Sequence, residues 1–243
     1  VLKHLSGNPD TGISMTQTYE YFREHQPDPS WKDSVDNFER LSDDLPADYV
    51  ECFSFITSII EMPVYLKWLM NQFENLGGTS ELKTVTEFSE IQNEFDIVVN
   101  CTGLESGSLL NDTEVFPIRG QVLRVKTDVK EMHLDQQIPT LAYIVPRSND
   151  MILGGVAQQD DWNLVPTKED SDFILKKCSQ LIPELKDVEI IEELVGLRPG
   201  RSSVRLDKEI VSDRPLIHNY GHGGSGVTLS WGCADDVVRL ANE

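Results

Sequence analysis

Hydrophobic residues spaced three and four apart predict a helix in the stretch MPVYLKWLMNQFENLGG, residues 62–78. Pro63 suits the first turn of this helix, and the Gly-Gly pair at its end can terminate it. A second helix is predicted over residues 168–182, where acidic residues precede basic ones as the helix dipole favours. A third helix is predicted in the C-terminal stretch VTLSWGCADDVVRLANE.

Apolar runs and alternating patterns predict strands between these helices. The run FDIVVNCTG, residues 95–103, is almost continuously apolar up to its polar end, which is typical of a buried parallel strand. The other predicted strands are one short strand in GISMTQTYEYF, antiparallel strands in FPIRGQVLRVKT, AYIVPR and MILGGVAQ, one strand in IIEELVGLRPGR that runs into a Pro/Gly turn, and one in RPLIHNYGHGG. This mixture predicts an α/β (α+β mixed) fold with an antiparallel part.

Composition excludes some classes of partner. The 243 residues carry a formal net charge of −20, so we expect no binding to nucleic acid or to anionic membranes. No apolar run approaches the roughly 20 residues of a membrane helix, and no signal peptide is recognisable. The four cysteines lie far apart without a C-x-x-C pair, so we expect reduced thiols and no metal site.

A glycine-rich stretch, NYGHGGSGVTLSWG at residues 219–232, lies between a predicted strand and the last helix. This arrangement can bind a phosphate or a cofactor, because free N–H groups of the first helical turn face the loop. Glycines also permit positive φ angles and close approach of a ligand. The spacing is not G-x-G-x-x-G, so this loop is not the first turn of a dinucleotide-binding unit. Taken alone, the stretch fits a cofactor site and a tight surface turn equally well.

Six separated motifs resemble, in order, the D-amino-acid oxidase family, which includes the D-aspartate oxidases. They are NCTGLESGSLL, FPIRGQVLRV, YIVPRSNDMILGG, DWNL, GLRPGRSSVRL and NYGHGGSGVTLSWG. The resemblance runs from about Ser14 to Glu243 and implies a flavoenzyme with FAD as cofactor. The family's N-terminal G-x-G-x-x-G turn for the FAD pyrophosphate has no match here, so we expect the chain to correspond to the C-terminal two-thirds or so of an oxidase.

The resemblance implies a partial FAD-binding Rossmann-like domain and an antiparallel-sheet substrate domain. Residues 1–90 are expected to form mixed substrate-domain and connecting helix segments, and residues 91–112 an FAD-domain strand and loop. Residues 113–195 are expected to form the antiparallel substrate-binding domain. Residues 196–243 then complete the FAD domain with the glycine loop and the last helix.

Two residues are implied by the resemblance to bind the substrate's α-carboxylate. Arg198 in GLRPGR matches the family's arginine, and its planar guanidinium can donate two parallel hydrogen bonds to a carboxylate. Tyr143 in AYIVP matches the tyrosine whose hydroxyl joins this clamp. From the residues alone, a structural role is favoured for both, and no role is assigned to Arg201 or Arg205.

Contacts to the flavin are implied in two segments. Amides at a helix N-terminus would stabilise the negative charge that develops on the flavin during reduction. The matching residues are Gly223, Gly224, Ser225, Gly226, Val227 and Thr228, together with Thr102 and Gly103 after the apolar run. The resemblance also implies that Gly224 contacts the substrate. We interpret His222 as a loop-shaping residue, because the family's reaction transfers hydride directly to flavin N5 and needs no general base.

The reaction implied is oxidative deamination of D-amino acids by oxygen to 2-oxo acids, ammonia and hydrogen peroxide. Residues 128–142 match the position of the family's active-site lid. Ala157 and Gly224 favour neutral D-amino acids, because aspartate specialists are expected to carry basic residues and a serine at such positions. Arg147 or His133 could still supply the charge that a D-aspartate-specific oxidase needs.

Other functions stay open at this stage. An oxidase of glycine, sarcosine or another secondary amine is one alternative, although GLRP and YIVP argue against it. An inactive fragment or a non-catalytic interaction protein, without the segment that binds the FAD pyrophosphate, is another. Kinship suggests the peroxisome, and otherwise the cytoplasm, although the chain ends in LANE without an S-K-L signal. A homodimer is compatible with the sequence, which does not decide the oligomeric state.

Overall fold

The computed structural model describes residues 1–92, 94–137, 141–211 and 213–243. These residues form two compact units, each assembled from segments that are distant in sequence. Unit 1 contains Val1–Thr79, Gly120–Val156 and Val165–Val195, and unit 2 contains Ser80–Arg119, Ala157–Leu164 and Gly196–Glu243. The assignment of these segments to flavin and substrate binding stays a prediction.

The described residues form helices and strands with the following bounds. The helices are α1 (Leu2–Leu5), α2 (Met62–Asn75), α3 (Ser89–Gln92), α4 (Ser106–Leu110), α5 (Lys168–Leu181) and α6 (Gly226–Asn242). The strands are β1 (Ile13–Phe22), β2 (Asp36–Leu41), β3 (Glu51–Ile60), β4 (Val98–Asn100), β5 (Phe116–Lys126), β6 (Met132–Asp135), β7 (Ala142–Pro146), β8 (Met151–Gly154), β9 (Gln158–Gln159), β10 (Glu189–Gly200), β11 (Arg205–Val211) and β12 (Arg214–Tyr220). No helix among the described residues is both long and apolar enough to cross a membrane.

Unit 1 is built on a large sheet with strand order β10-β5-β8-β7-β6-β1-β3-β2. Its neighbours are antiparallel in most pairs, but β6 runs parallel to β1. Successive side chains of a strand point to opposite faces, and one face carries the core against α5. That core includes Leu123, Ile144 and Leu153 from the sheet with Ile174 and Cys178 from the helix.

The opposite side of this sheet, which we call the open face, carries a row of four side chains. The register places Tyr143 of β7 opposite Leu134 of β6, Leu134 opposite Glu20 of β1, and Glu20 opposite Phe53 of β3. Residues opposite one another in adjacent strands share a face. Tyr143, Leu134, Glu20 and Phe53 therefore follow one another across four neighbouring strands.

Unit 2 contains a three-stranded sheet in the order β11-β12-β4. β4 is parallel to β12, and β11 is antiparallel to it. Helix α6 packs against β11 and β12. The parallel strand expected in the run 95–103 is therefore confirmed, but Val99 is 42% exposed. The expectation of a fully buried run is wrong, because only the face of β4 that carries Val98 packs on a cluster with Phe88 and Leu216.

The three predicted helices are confirmed as α2, α5 and α6, because their local signals are strong. Pro63 lies in the first turn of α2, Gly77 follows that helix with a φ of 90°, and Thr167 caps α5 by accepting a hydrogen bond from the amide of Asp170. Among the strands, β1 has ten residues instead of being short. The strand β10 continues through Arg198 to Gly200 instead of ending before a turn.

Part of the predicted lid, residues 128–142, is regular sheet, and the prediction of a loop is wrong there. Residues 132–135 form β6 and pair on both sides, with β1 and with β7. The polar residues of this strand include His133 and Asp135, which are buried. Residues 138–140, also within the predicted lid, lie outside the described residues.

His133 is buried in the core of unit 1 between two tyrosines. Its ring stacks on that of Tyr19 at 5.2 Å between centroids, and the hydroxyl of Tyr21 lies 2.9 Å from its Nδ1. Burial lowers the pKa of His133 from 6.5 to about 4. The imidazole is thus neutral in the folded protein at pH 7.

This histidine is expected to make the protein less stable as the pH falls. The unfolded chain takes up a proton near pH 6.5, whereas the folded chain does so only near pH 4, so stability present above pH 6.5 is lost towards pH 4. The loss between pH 7.5 and pH 4.5 is about 2–3 kcal/mol. Urea unfolding at both pH values should show this loss in the free energy of unfolding for the unaltered protein. The His133→Gln variant should lack this part of the pH dependence. Equal pH dependence in the two would contradict the assignment.

Candidate active site

Two of the segments predicted to contact the flavin leave the sheet of unit 2 at the same edge. β4 and β12 are parallel, with Asn100 opposite His218, so their carboxyl ends lie side by side. Thr102 and Gly103 follow β4, and the glycine loop follows β12. In open α/β sheets, ligands bind in the crevice beyond the carboxyl ends of strands. The structure therefore brings both predicted segments to an edge that can bind a ligand.

A buried hydrogen-bond network fixes the turn after β4. The side-chain oxygen of Asn100 accepts hydrogen bonds from the amide and hydroxyl of Thr102, at 3.1 and 2.7 Å. Its Nδ2 donates to Ser106 at 3.2 Å and to Nδ1 of His218 at 3.3 Å. The Nε2 of His218 can then donate to the carboxylate of Glu209 at 3.0 Å. With each polar partner satisfied, this turn is held in one conformation.

A second network holds the beginning of the glycine loop. The buried Tyr220 donates to Oδ2 of Asp112 at 2.8 Å, and Nε of Arg201 donates to the same oxygen at 2.9 Å. Burial would raise the pKa of Asp112, but hydrogen bonds from Tyr220, the backbone of Glu114 and Arg201 outweigh it and hold that pKa below its ordinary value. Arg205 donates to the hydroxyl of Tyr220 at 3.1 Å. Arg201 and Arg205, which had no predicted role, therefore anchor this loop.

The first turn of α6 is suited to receive a polar acceptor. A short 3-10 turn over Gly223–Ser225 leads into the helix, whose N-cap Ser225 makes no side-chain cap, and no acidic residue lies in the first turn. Gly224, Ser225, Val227 and Thr228 are exposed. Uncapped N–H groups and the positive end of a 17-residue helix favour an electron-rich group. These residues fit the polar edge of a flavin, and their contact with it stays a prediction.

Arg198 lies beside this glycine loop in unit 2. A Cβ atom placed on Gly224 would be 3.7 Å from Cδ of Arg198, and one placed on Gly103 would be 3.8 Å from Pro199. The Arg198 side chain is half-buried near the end of β10. The structure thus brings Arg198 next to the glycine loop and its neighbour Pro199 next to Gly103. The positive charge of Arg198 and the positive end of α6 favour the same kind of electron-rich ligand.

Two glycines of this loop should respond very differently to alanine. At Gly221 the φ is 85° and a Cβ would lie 2.7 Å from Cβ of Arg201, whereas at Gly224 the nearest atom would be 3.7 Å away. We expect Gly221→Ala to lower the free energy of unfolding by about 2 kcal/mol or more, and Gly224→Ala to change it by less than about 0.5 kcal/mol. Urea unfolding checks this. Equal losses in the two variants would contradict the described loop.

Tyr143 lies in β7 of unit 1, half-buried on the open face. A Cβ on Gly154, its neighbour in β8, would lie 2.1 Å from Cζ of the Tyr143 ring. The ring therefore leans over β8, and only a glycine leaves room for it there. Since Tyr143 belongs to unit 1 and Arg198 to unit 2, their joint action on one carboxylate stays a prediction.

His222 contacts a cysteine of the last helix. Its Nε2 lies 3.5 Å from Sγ of Cys233, and burial lowers the pKa of this imidazole below its ordinary value. The described cysteines are free thiols: Cys52 and Cys178 are buried, Cys233 is half-buried, and Cys101 is exposed. The loop-shaping role of His222 stays a prediction that this contact is compatible with.

The sequence interpretation missed the residues that hold the two glycine segments in place. Asn100 could have been noticed, because a polar residue ends an otherwise apolar strand immediately before the Thr-Gly turn. Asp112 had no such signal, since its partners Arg201 and Tyr220 are 89 and 108 positions away in sequence. Polar anchors of this kind depend on the tertiary fold.

Comparisons with known proteins find relatives that match almost the whole chain. The family profile described as FAD dependent oxidoreductase matches residues 4–240. The chain is 42% identical to a D-amino-acid oxidase from Rubrobacter xylanophilus over 99% of this chain and 76% of that protein. It is 37% identical to the human D-aspartate oxidase over 96% of this chain and 71% of that protein.

The fold is also found among solved structures. A crystal structure of glycine oxidase from Geobacillus kaustophilus superimposes with a TM-score of 0.77, covering 99% of this chain and 75% of that chain. At 16% identity, this similarity shows a shared fold and carries no information on the substrate. The expected α/β fold of an FAD-dependent oxidoreductase is confirmed, whereas the large sheet expected to be antiparallel is mixed, because β6 runs parallel to β1.

Proposed function

Because the chain belongs to the D-amino-acid oxidase and D-aspartate oxidase family of FAD-dependent oxidoreductases, we propose that it catalyses the oxidative deamination of D-amino acids. The observation that most supports this is the position of Arg198 beside Gly224. An arginine that can bind a carboxylate lies next to a glycine loop and an uncapped helix N-terminus that suit a flavin.

The residues of this chain mainly bind and orient the reactants. Residues 223–228, with Thr102 and Gly103, would hold FAD, which when bound would supply the acceptor for the hydride from the substrate's α-carbon. Arg198 binds the α-carboxylate through two hydrogen bonds and fixes its direction. Tyr143 donates a third hydrogen bond to that carboxylate. None of these side chains has to gain or lose a proton, so positioning is their contribution to the rate.

Gly224 serves this function by having no side chain. The nearest heavy atom that a Cβ would meet there belongs to Arg198. A small substrate bound by Arg198 can therefore approach the loop closely. A larger residue at this position would occupy the space beside the guanidinium.

Neutral D-amino acids fit this chain better than D-aspartate. Two residues were considered as sources of positive charge for a side-chain carboxylate, and both are engaged elsewhere in unit 1. Arg147 donates from Nε and from NH2 to the carboxylate of Asp150, at 2.6 and 2.7 Å. His133 is buried on the core side of the sheet with a pKa of about 4, so it is neutral and faces away from the open face.

The remaining properties follow from kinship and from the chemistry of flavin oxidases. Oxygen is the proposed final electron acceptor, and hydrogen peroxide is the proposed by-product. A peroxisomal location suits a producer of peroxide, and a homodimer is the proposed assembly. Catalase-sensitive release of peroxide tests oxygen as the acceptor and hydrogen peroxide as the by-product. Analytical ultracentrifugation tests the homodimer.

A substrate panel tests the proposed function. The purified full-length protein supplied with FAD is assayed for peroxide with D-alanine, D-aspartate, glycine, sarcosine and L-alanine. We expect D-alanine to be oxidised faster than D-aspartate, with little reaction of the other three. A preference for D-aspartate would contradict the substrate proposal, and a preference for sarcosine or glycine would favour the secondary-amine alternative.

A further inference from the structure

A groove of about 560 Å³ lies on the open face of unit 1. It is formed by β1, β3 and β6 together with the loop that precedes β2. One deeply placed carboxyl group, that of Glu20, lies in this groove. Its walls include the apolar side chains of Phe22, Trp31, Phe53, Phe55 and Leu134. Nothing in the proposed chemistry uses this groove.

Glu20 is the unusual member of this lining. It is 8% exposed, and burial raises its pKa, against the effect of a hydrogen bond from Gln136. That bond, 2.7 Å long, goes to Oε1. Among the described residues Oε2 accepts no hydrogen bond, and no cation pairs with this carboxyl. A buried acid without a counter-charge is costly, so the groove favours a positively charged occupant.

The other acid of the groove does not share this property. Asp28 forms ion pairs with Lys32 at 2.5 Å and with Arg40 at 2.8 Å. It has its counter-charges already and is largely exposed. The guanidinium of Arg40 lies 4.7 Å from the centroid of the Phe53 ring, and it is neutralised by its ion pairs with Asp28 and Glu51. The remaining residues of the lining are uncharged, so Glu20 is the charged group of the lining that has no counter-charge among the described residues.

The aromatic walls suit the same occupant. The ring of Trp31 lies 4.9 Å from that of Phe55, and the ring of Phe53 lies 4.6 Å from that of Phe22. Aromatic faces attract ammonium and guanidinium groups and pack well against the methylene groups that carry them. An aliphatic chain ending in a cation would satisfy both the rings and the carboxyl.

The groove is connected to the proposed substrate position within unit 1. Glu20, Leu134 and Tyr143 are consecutive in the row across β1, β6 and β7. The Tyr143 ring leans over Gly154 of β8, and its hydroxyl lies 2.3 Å from the position of a Cβ on that glycine. About three strand spacings, roughly 14 Å, therefore separate this hydroxyl from the backbone of Glu20. Leu134 is the side chain between Tyr143 and Glu20 in the row, and only a long, extended substrate side chain with a hydrogen bond at each end covers this distance.

We propose that the groove around Glu20 binds the cationic end of the side chain of a basic D-amino acid, of the length of lysine or arginine. This inference rests on the proposed function, because it takes the substrate's carboxylate to lie at Tyr143. Glu20 is then a specificity-determining residue that pairs with the distal ammonium or guanidinium group. Small neutral D-amino acids react without using it.

D-Arginine and D-citrulline provide the test, because they have nearly the same shape and differ in charge. The full-length protein loaded with FAD is assayed with both. We expect kcat/KM for D-arginine to exceed that for D-citrulline by about 10- to 100-fold, the usual range for a hydrogen bond to a charged group. Glu20→Gln should remove this preference, mainly through KM, and leave D-citrulline within about threefold of its original value.

Glu24→Gln is the matched control, because it removes the same charge from an exposed position four residues away. It should leave the ratio of the two substrates unchanged. Equal kcat/KM values for D-arginine and D-citrulline in the unaltered protein would overturn the inference even if Glu20→Gln failed to fold. If D-citrulline and D-alanine react while D-arginine is no better, the groove inference fails and the proposed function stands. If no D-amino acid reduces the flavin, the proposed function itself fails.

Discussion

Replacing Arg198 by alanine is expected to lower kcat/KM for D-alanine by about two to three orders of magnitude. Removing one partner of a hydrogen-bonded charge pair costs about 2–5 kcal/mol, and each 1.36 kcal/mol is a factor of ten. Arg198→Lys keeps the charge but loses the second parallel hydrogen bond, so we expect an intermediate loss. Steady-state peroxide assays with each variant measure these effects.

A structural explanation of such a loss can be tested separately. Since Arg198 lies 3.7 Å from the Cβ position of Gly224, removing it could also disturb the flavin environment. The visible spectrum and the unfolding midpoint of Arg198→Ala should stay close to those of the unaltered protein. Activity within threefold of the original would contradict a role of Arg198 in binding the substrate's carboxylate.

Gly154→Ala is expected to reduce activity although it replaces no residue that is proposed to contact the substrate. The added methyl group would lie 2.1 Å from Cζ of Tyr143, so the ring has to leave its position over β8. We expect at least a tenfold loss of kcat/KM, and a loss of about 1–3 kcal/mol in the free energy of unfolding from overpacking. Peroxide assays and urea unfolding measure the two effects.

Gly196→Ala is the matched control in another strand, because no atom lies within 4 Å of its added Cβ. It should retain its stability within about 0.5 kcal/mol. Tyr143→Phe identifies the part of the Gly154→Ala effect that comes from the hydroxyl. If Gly154→Ala kept full activity, the described position of the Tyr143 ring would be wrong.

Features with local physical causes could be predicted from the sequence. The helix α2 follows from its apolar spacing and Pro63, and α5 follows from the acidic first turn after Thr167. The glycine loop was recognisable because glycine is the residue that tolerates positive φ, and Gly221 and Gly223 have φ values of 85° and 54°. The parallel strand β4 was recognisable from its apolar run.

Features that depend on long-range pairing were missed. The strand β6 contains two polar residues, His133 and Asp135, that are buried within unit 1. The family resemblance predicted a lid at this position, and the polar sequence without periodicity did not contradict a loop while the strand's partners were unknown. Likewise, Glu20 looks like an ordinary polar residue of β1 until its register with Leu134 and Phe53 places it in the groove.

Anaerobic reduction of the flavin tests the central claim most directly. The purified full-length protein with FAD is mixed with D-alanine, and separately with L-alanine, in the absence of oxygen. We predict that the visible flavin absorption is bleached by the D-isomer and not by the L-isomer, and that it returns when oxygen is admitted. A protein that binds FAD but is bleached by neither isomer, or by both equally, would contradict the assignment as an oxidase of D-amino acids.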